Sequence, residues 1–229
     1  EIINKFSDKE KLFKGNPTLL WEKNFKESLK RLNKKSINSL LLHNSSDLLG
    51  LNKDLLLGWL KSLKERKLIK RIGLSIYEEK DLSNIPLEEI QIIQLPFSLY
   101  DQRLLEDGTI KRLYELGISI HARSIFLQGL ILQPEELWPS FISKGFKKHH
   151  AKTFNQLGSD NLSMLEASIS FVNNCSYIES FLVGISSFSE FEKIIKTWES
   201  LKSKNFSDFN YSKFSWNKKF DLDPRLWKK

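Results

Sequence analysis

Apolar positions in this chain alternate between two rhythms. Ile2–Phe6, Ile37–His43, Ile69–Ser75, Ile90–Leu95, Ile118–Ser124 and Ser180–Gly184 are short runs rich in Ile, Leu or Phe, nearly continuous in apolarity. Strands buried on both faces read this way, because helices cover both sides of a parallel sheet. Between them apolar residues recur at helical spacing: Leu19, Leu20, Phe25, Leu29 and Leu32, ending before Asn33; then Leu55, Trp59, Leu60, Leu63 and Leu68. Ile110, Leu113, Tyr114 and Leu116 predict a third helix stopped by Gly117; Leu162, Leu165, Ala167, Ile169 and Val172 predict a fourth; Phe188, Phe191, Ile194, Ile195 and Trp198 a fifth. The long interval before the last strand holds Pro134, Pro139 and the Lys147–His150 cluster, and predicts an inserted loop or an extra helix.

Regular strand–helix alternation implies an α/β fold with right-handed crossovers. A doubly wound nucleotide fold announces itself with a glycine-rich turn after its first strand, and neither GxGxxG nor GxxxxGK[ST] occurs. The other α/β solution is the (β/α)8 barrel, eight units in about 250 residues. Six units are visible, so the expectation is a TIM barrel of which the chain covers roughly strands 3 to 8, in a single domain spanning 1–229 with 204–229 as a C-terminal tail. The only methionine is Met164, which agrees with an earlier portion lying upstream. An open six-strand remnant would leave unpaired edges and apolar helix faces in water.

Composition narrows the class. Lys plus Arg total 36 and Asp plus Glu 28, a net charge of +8, while 40% of residues are hydrophobic. The lysines are scattered among acids, as on solvated helix faces, and no nucleic-acid motif accompanies them. No nucleic-acid partner is therefore expected. Cys175 is alone and cannot form an intrachain disulfide, and no apolar run reaches the ~18 residues of a spanning helix. A cytoplasmic protein without membrane contact is the expectation.

Candidate chemistry collects at the ends of the predicted strands, where barrels build their active sites. The runs close on Lys5, His43, Ser75, Gln94, the His121–Arg123–Ser124 group and Gly184-Ile185-Ser186-Ser187. Polar endings over apolar strand bodies describe a ring of hydrogen-bonding groups above a dry interior. His149 and His150 are adjacent and face different ways on a helix, no HExxH or Cys/His spacing occurs, and no GxSxG elbow is present. Neither a metal site nor a serine hydrolase is indicated.

Several segments resemble one family in order. Leu40-Leu41-Leu42-His43-Asn44 is similar to the fourth-strand motif of the aldo/keto reductase superfamily, and Ile69-Lys70-Arg71-Ile72-Gly73-Leu74-Ser75 to its IRxIGVSN strand. Ile93-Gln94-Leu95-Pro96-Phe97-Ser98-Leu99 resembles its Gln-containing sixth strand, and GISIHARSIFLQGL (Gly117–Leu130) its seventh strand and loop. Val183–Phe191 resembles the last strand and the start of the cofactor-binding helix; Asp223-Pro224-Arg225-Leu226-Trp227 is similar to a bacterial branch associated with cell-surface glycan synthesis. The resemblance implies an NAD(P)H-dependent oxidoreductase that reduces a small-molecule carbonyl (aldehyde, ketone or sugar-like) to an alcohol by hydride transfer, with NADP or NAD as cofactor. Lys5 and His43 match the Lys and His of the family's catalytic Asp-Tyr-Lys-His tetrad, and the Asp and Tyr are expected upstream of this sequence. Ser75 and Gln94 match groups that hold the nicotinamide carboxamide; Arg123 stands where many members place a Tyr on the nicotinamide face; Ser124 and Phe126 fall in the loop along the pyrophosphate. Ser186, Ser187 and Glu190 match the adenosine-side site, and Gly184 is a further cofactor-binding candidate. Ile76 replaces the usual Asn, and Ser186-Ser187 offers no arginine to a 2′-phosphate, which favours NADH. The alternative is a non-catalytic barrel that binds cofactor as a sensor or partner module.

Overall fold

A computed structural model describes residues 3–6, 16–204, 206 and 209–227, and the side chains of 3–6 lie outside that description. In chain order the strands are β1 (Ile3–Phe6), β2 (Ser39–Leu42), β3 (Arg71–Ser75), β4 (Ile92–Pro96), β5 (Ser119–Arg123) and β6 (Ser180–Phe181). The helices are α1 (Pro17–Arg31), α2 (Lys53–Glu65), α3 (Arg103–Glu106), α4 (Thr109–Glu115), α5 (Lys144–Ser159), α6 (Met164–Asn173), α7 (Phe188–Leu201) and α8 (Lys219–Leu222). Five strands fall inside their expected runs, β4 extends one residue past its expected end to Pro96, and the last strand is trimmed to two residues. The long interval resolves in favour of an extra helix: α5 occupies much of it, started by Ser143, whose side chain accepts from the Phe146 amide.

The chain forms two compact units, Glu1–Leu95 with Glu115–Ser119, and Pro96–Tyr114 with Ile120–Lys229. In the first, β1 to β4 pair in parallel in sequence order. Every residue of β2 and of β4 is buried, which is why these strands read as unbroken apolar runs. Helix α1 begins where Asn16 caps the Thr18 amide and Pro17 supplies a preset φ. It buries Trp21, Phe25 and Leu29, one residue per turn; α2 answers with Leu56, Trp59, Leu60 and Leu63. The Trp21 and Trp59 rings lie 5.7 Å apart and Phe25 meets Trp59 edge-on at 6.2 Å. Removing each such side chain from water contributes roughly 1.5–3 kcal/mol. Gly73 lets β3 approach its neighbours: a Cβ there would sit 2.5 Å from the Ile92 carbonyl oxygen and 2.9 Å from Leu41 Cγ.

The second unit pairs β5 with β6 in parallel. Its core has an aliphatic body, with Ile120, Ile125, Leu130, Leu157 and Ile169 among the buried residues, and adds to it an aromatic cluster and more buried polar groups than the first unit holds. The Tyr100 ring meets Phe146, His149 and His150 at 5.3, 5.4 and 5.9 Å. Trp138 packs on Phe146 and His150, and Trp216 on Phe146 and His149. The two histidines do face different ways: His149 Nε2 bonds the Phe214 carbonyl, while His150 Nδ1 bonds the Tyr100 hydroxyl at 2.8 Å. The C-terminal tail packs firmly. The Trp216 amide donates to the Tyr100 carbonyl at 2.8 Å. Asp221, 1% exposed, accepts from Trp216 Nε1 and from both the amide and hydroxyl of Ser143. This last set fixes the start of α5 from a point nearly 80 residues along the chain.

Candidate active site

In a parallel sheet all strands end on one edge, and the first unit gathers its candidates there. Lys5 lies on β1 in register with Leu41; its side chain is outside the described residues. His43 follows the last residue of β2 and is exposed. Leu42 pairs with Leu74, so His43 and Ser75 occupy neighbouring places, and Ser75 in turn pairs with Gln94. Ser75 and Gln94 are 4% and 2% exposed; they form the buried floor of that edge, with His43 at its wet rim. The strand is continued beyond Ser75 by the Ile76 amide, which donates to the Gln94 carbonyl at 3.0 Å. Ile76 itself is buried, so the position held by Asn in the family motif here adds to the core.

The second unit carries the remaining candidates. Arg123 is the last residue of β5, and its Nη1 reaches the Ser124 hydroxyl at 3.5 Å. Ser124, Leu127, Gln128 and Gly129 all have left-handed φ, 59, 46, 60 and 83°. For residues with a Cβ that backbone costs about 1–2 kcal/mol each, and here the burial of Ile125, Phe126, Leu127, Leu130 and Ile131 holds the loop in place. Gly184 is exposed and a Cβ there would meet nothing within 4 Å. Its backbone needs no glycine.

At the start of α7, Ser187 caps the Glu190 amide at 3.1 Å. The Glu190 carboxylate turns back, and the Ser186 amide and hydroxyl both donate to Oε2 at 2.8 Å. These hydrogen bonds hold the Glu190 carboxyl below the usual carboxylate range, so it is charged at neutral pH and sits against the positive end of the helix.

Beside that helix start lies a cavity of about 920 Å³, inside the 300–1,000 Å³ range of small-molecule and cofactor sites. Ser187, Glu190, Lys193 and Ile194 of the α7 region form one wall; His150, Phe154 and Asn155 of α5 another; Met164 and Leu165 of α6 a third; the 129–135 loop closes it. Sequence reasoning missed His150, Gln133, Lys193 and the α6 residues as cavity wall. The only signal was the helical spacing of α5, hidden by its Lys and His content. Among the described residues no group of three His, Cys, Asp or Glu could hold a metal ion, and no helix is long and apolar enough to cross a membrane.

The sequence pattern of the Aldo/keto reductase family matches residues 4–211. The chain belongs to this family. Three solved aldo-keto reductase structures superpose on it at low sequence identity. An aldo-keto reductase from Bacillus halodurans, AKR11C1, superposes with a TM-score of 0.71 in its apo form at 16% identity, covering 93% of this chain and 69% of that one. Its holo form gives 0.69 at 17% identity, covering 93% and 71%. The thermostable aldo-keto reductase Tm1743, solved with the inhibitor epalrestat, gives 0.67 at 13% identity, covering 93% and 69%. No curated protein matches the chain. Family and fold agree with the expected class, an α/β barrel of aldo/keto reductase type, and make this an oxidoreductase of that type.

Proposed function

We propose that this aldo/keto reductase is an NAD(P)H-dependent reductase of a small aldehyde, ketone or sugar-like carbonyl, working in the cytoplasm. β1 to β6 then take the places of strands three to eight of the family barrel, and the closing Asp223–Trp227 segment favours the branch linked to surface glycans. The observation that carries the reading is the cavity of about 920 Å³ walled by Ser187 and Glu190, residues that the resemblance assigns to the adenosine side. The cavity is large enough for an adenosine, has apolar walls for a planar base, and opens beside a helix start. The residues present fit the group.

When bound, the dinucleotide supplies a hydride to the carbonyl carbon. Ser75 and Gln94 would hold its carboxamide from the buried floor of the first unit's strand edge. Arg123 would offer a planar guanidinium to the nicotinamide face, and Ser124 and Phe126 would lie in the loop along the pyrophosphate. His43, at the rim, would donate a hydrogen bond to the substrate oxygen, stabilising the negative charge that grows there. Lys5 would lower the pKa of a phenolic proton donor by favouring its anion.

Glu190 supports NADH over NADPH. A 2′-phosphate would lie beside a charged carboxylate already bonded by Ser186, whereas ribose hydroxyls can donate to that carboxylate. Titrating NADH and NADPH while following protein fluorescence tests the proposal, with NADH expected to bind at least tenfold tighter. Binding of neither by folded protein would end it. Binding without turnover of any carbonyl would leave a cofactor-binding module. His43→Ala is expected to cut carbonyl turnover on the order of a hundredfold with NADH affinity unchanged.

A further inference from the structure

The cavity beside α7 has walls of Ile131, Leu132, Phe154, Met164, Leu165 and Ile194, into which one buried imidazole is set. His150 is 7% exposed and belongs to that wall. Its Nδ1 is engaged by the Tyr100 hydroxyl at 2.8 Å, and its Nε2 has no hydrogen-bond partner among the described residues. A ring nitrogen without a partner on a residue of the cavity wall is available to a ligand seated there.

The proton on this pair can be placed. Burial pushes the Tyr100 phenol well up and the His150 imidazole down to about 4, so both are neutral near pH 7. Thr153 hydrogen-bonds the Tyr100 hydroxyl. The phenolic proton has two acceptors in reach, His150 Nδ1 at 2.8 Å and the Met164 thioether at 3.9 Å. The nitrogen is nearer and the stronger acceptor, so Nδ1 accepts and the imidazole proton resides on Nε2. The imidazole therefore offers one N–H donor to the cavity.

We infer that His150 determines base specificity, donating from Nε2 to a ring nitrogen of a purine seated in this cavity; the inference rests on the cavity being the adenosine side of the cofactor site. Adenine presents its ring nitrogens as acceptors, which suits a fixed donor. Tyr100 is a positioning residue, because its hydroxyl selects the tautomer. The tail takes part through the same cluster: the Trp216 amide holds the Tyr100 carbonyl and the Phe214 carbonyl holds His149, so α5 is oriented from two sides.

The test compares NADH with reduced nicotinamide mononucleotide, which lacks the adenosine half. His150→Phe is expected to weaken NADH about tenfold, the loss of one hydrogen bond, and to leave the mononucleotide unchanged. His150→Gln, which returns an amide near the Nε2 position, should recover most of the NADH affinity. On the unaltered chain, the nitrogen-15 resonance of His150 Nε2 should report a protonated nitrogen and should shift with NADH but not with the mononucleotide. A His150→Phe protein that binds NADH normally, equal weakening of both ligands, or an Nε2 signal indifferent to NADH would each overturn the assignment. Failure of the unaltered chain to bind NADH and NADPH would instead remove the cofactor reading itself, and this inference with it.

Discussion

The two units of the chain solve the burial problem differently. In the first, β2 and β4 are wholly buried, the core is mostly Leu and Ile with Trp21, Phe25 and Trp59, and polar groups such as Ser75 and Gln94 are held at the strand ends. In the second, Tyr100, Asp101, Gln102, His121, His150, Thr153, Asp221 and Asp223 are all buried. Several are kept in place by hydrogen bonds between segments far apart in sequence, as Tyr100 with His150, Gln102 with Tyr211 and Asp221 with Ser143, while Asp101 and Asp223 are held locally by Arg103 and Arg225. An aliphatic core is specified by volume; a polar one is specified by partners. The first unit should therefore tolerate changes that conserve volume, and the second should fail when a single donor or acceptor is lost.

The sharpest break is expected at Asp221→Ala. Three donors, the Ser143 amide, the Ser143 hydroxyl and Trp216 Nε1, lose their acceptor in a buried site. The expected cost is about 4 kcal/mol, read as loss of hydrogen-exchange protection in α5 and the 209–227 tail. Protection in β2 and β3 is the contrast, and equal loss there would erase the distinction between the units.

Gly73→Ala probes the first unit by volume. The added methyl would meet the Ile92 carbonyl oxygen at 2.5 Å, and backbone cannot swing aside as a side chain does. Denaturant titration should register about 3 kcal/mol of destabilisation.

pH separates the units as well. His150 titrates at about 4 when folded and near 6.5 when unfolded, so the unfolded chain binds more protons between those values. Stability is complete above about 6.5 and falls with pH, by about 2 kcal/mol at pH 5. Tyr100 and His149 face this ring, and Glu135, Glu190 and Lys193 line the same cavity. Burial raises Asp101, whose effect has the opposite sign at the acid end. The difference between wild type and His150→Phe isolates the histidine. In the first unit Glu22, lowered to about 2 chiefly by Arg66, keeps its contribution until the pH drops below about 4.5. Between pH 6.5 and 4.5 only the second unit should loosen on account of these two groups. The smallest effect belongs to Glu22→Gln, about 1 kcal/mol, because the carboxylate that receives Arg66 and Trp59 Nε1 lies near the surface.

The first unit was nearly legible from the chain alone. Its strands and helices come from local rhythm, buried runs for β2 to β4 and helical spacing for α1 and α2, although the α1 stripe read from the sequence includes Leu19 and Leu32, which are exposed, and leaves out Trp21, which is buried. The strand-end candidates followed from the same rhythm, since parallel strands end together. The second unit was legible in outline only. β5, α6 and α7 have clear periods, but α5 is rich in Lys and His and buries Phe146, His150, Thr153 and Leu157, a stripe too polar to recognise. The tail gave no period at all, although Trp216 and Asp221 are central to its docking.

What sequence by itself determined is the succession of strands and helices, the α/β class and the order of family motifs, because each depends on neighbours within a few residues. What only tertiary structure decided is which polar groups are buried, which hydrogen bond each makes, and that α5, α6 and α7 enclose one cavity. Those outcomes depend on residues brought together across as many as a hundred positions, as with Gln102 and Tyr211. Chain folding, not local preference, brings such partners within reach of one another.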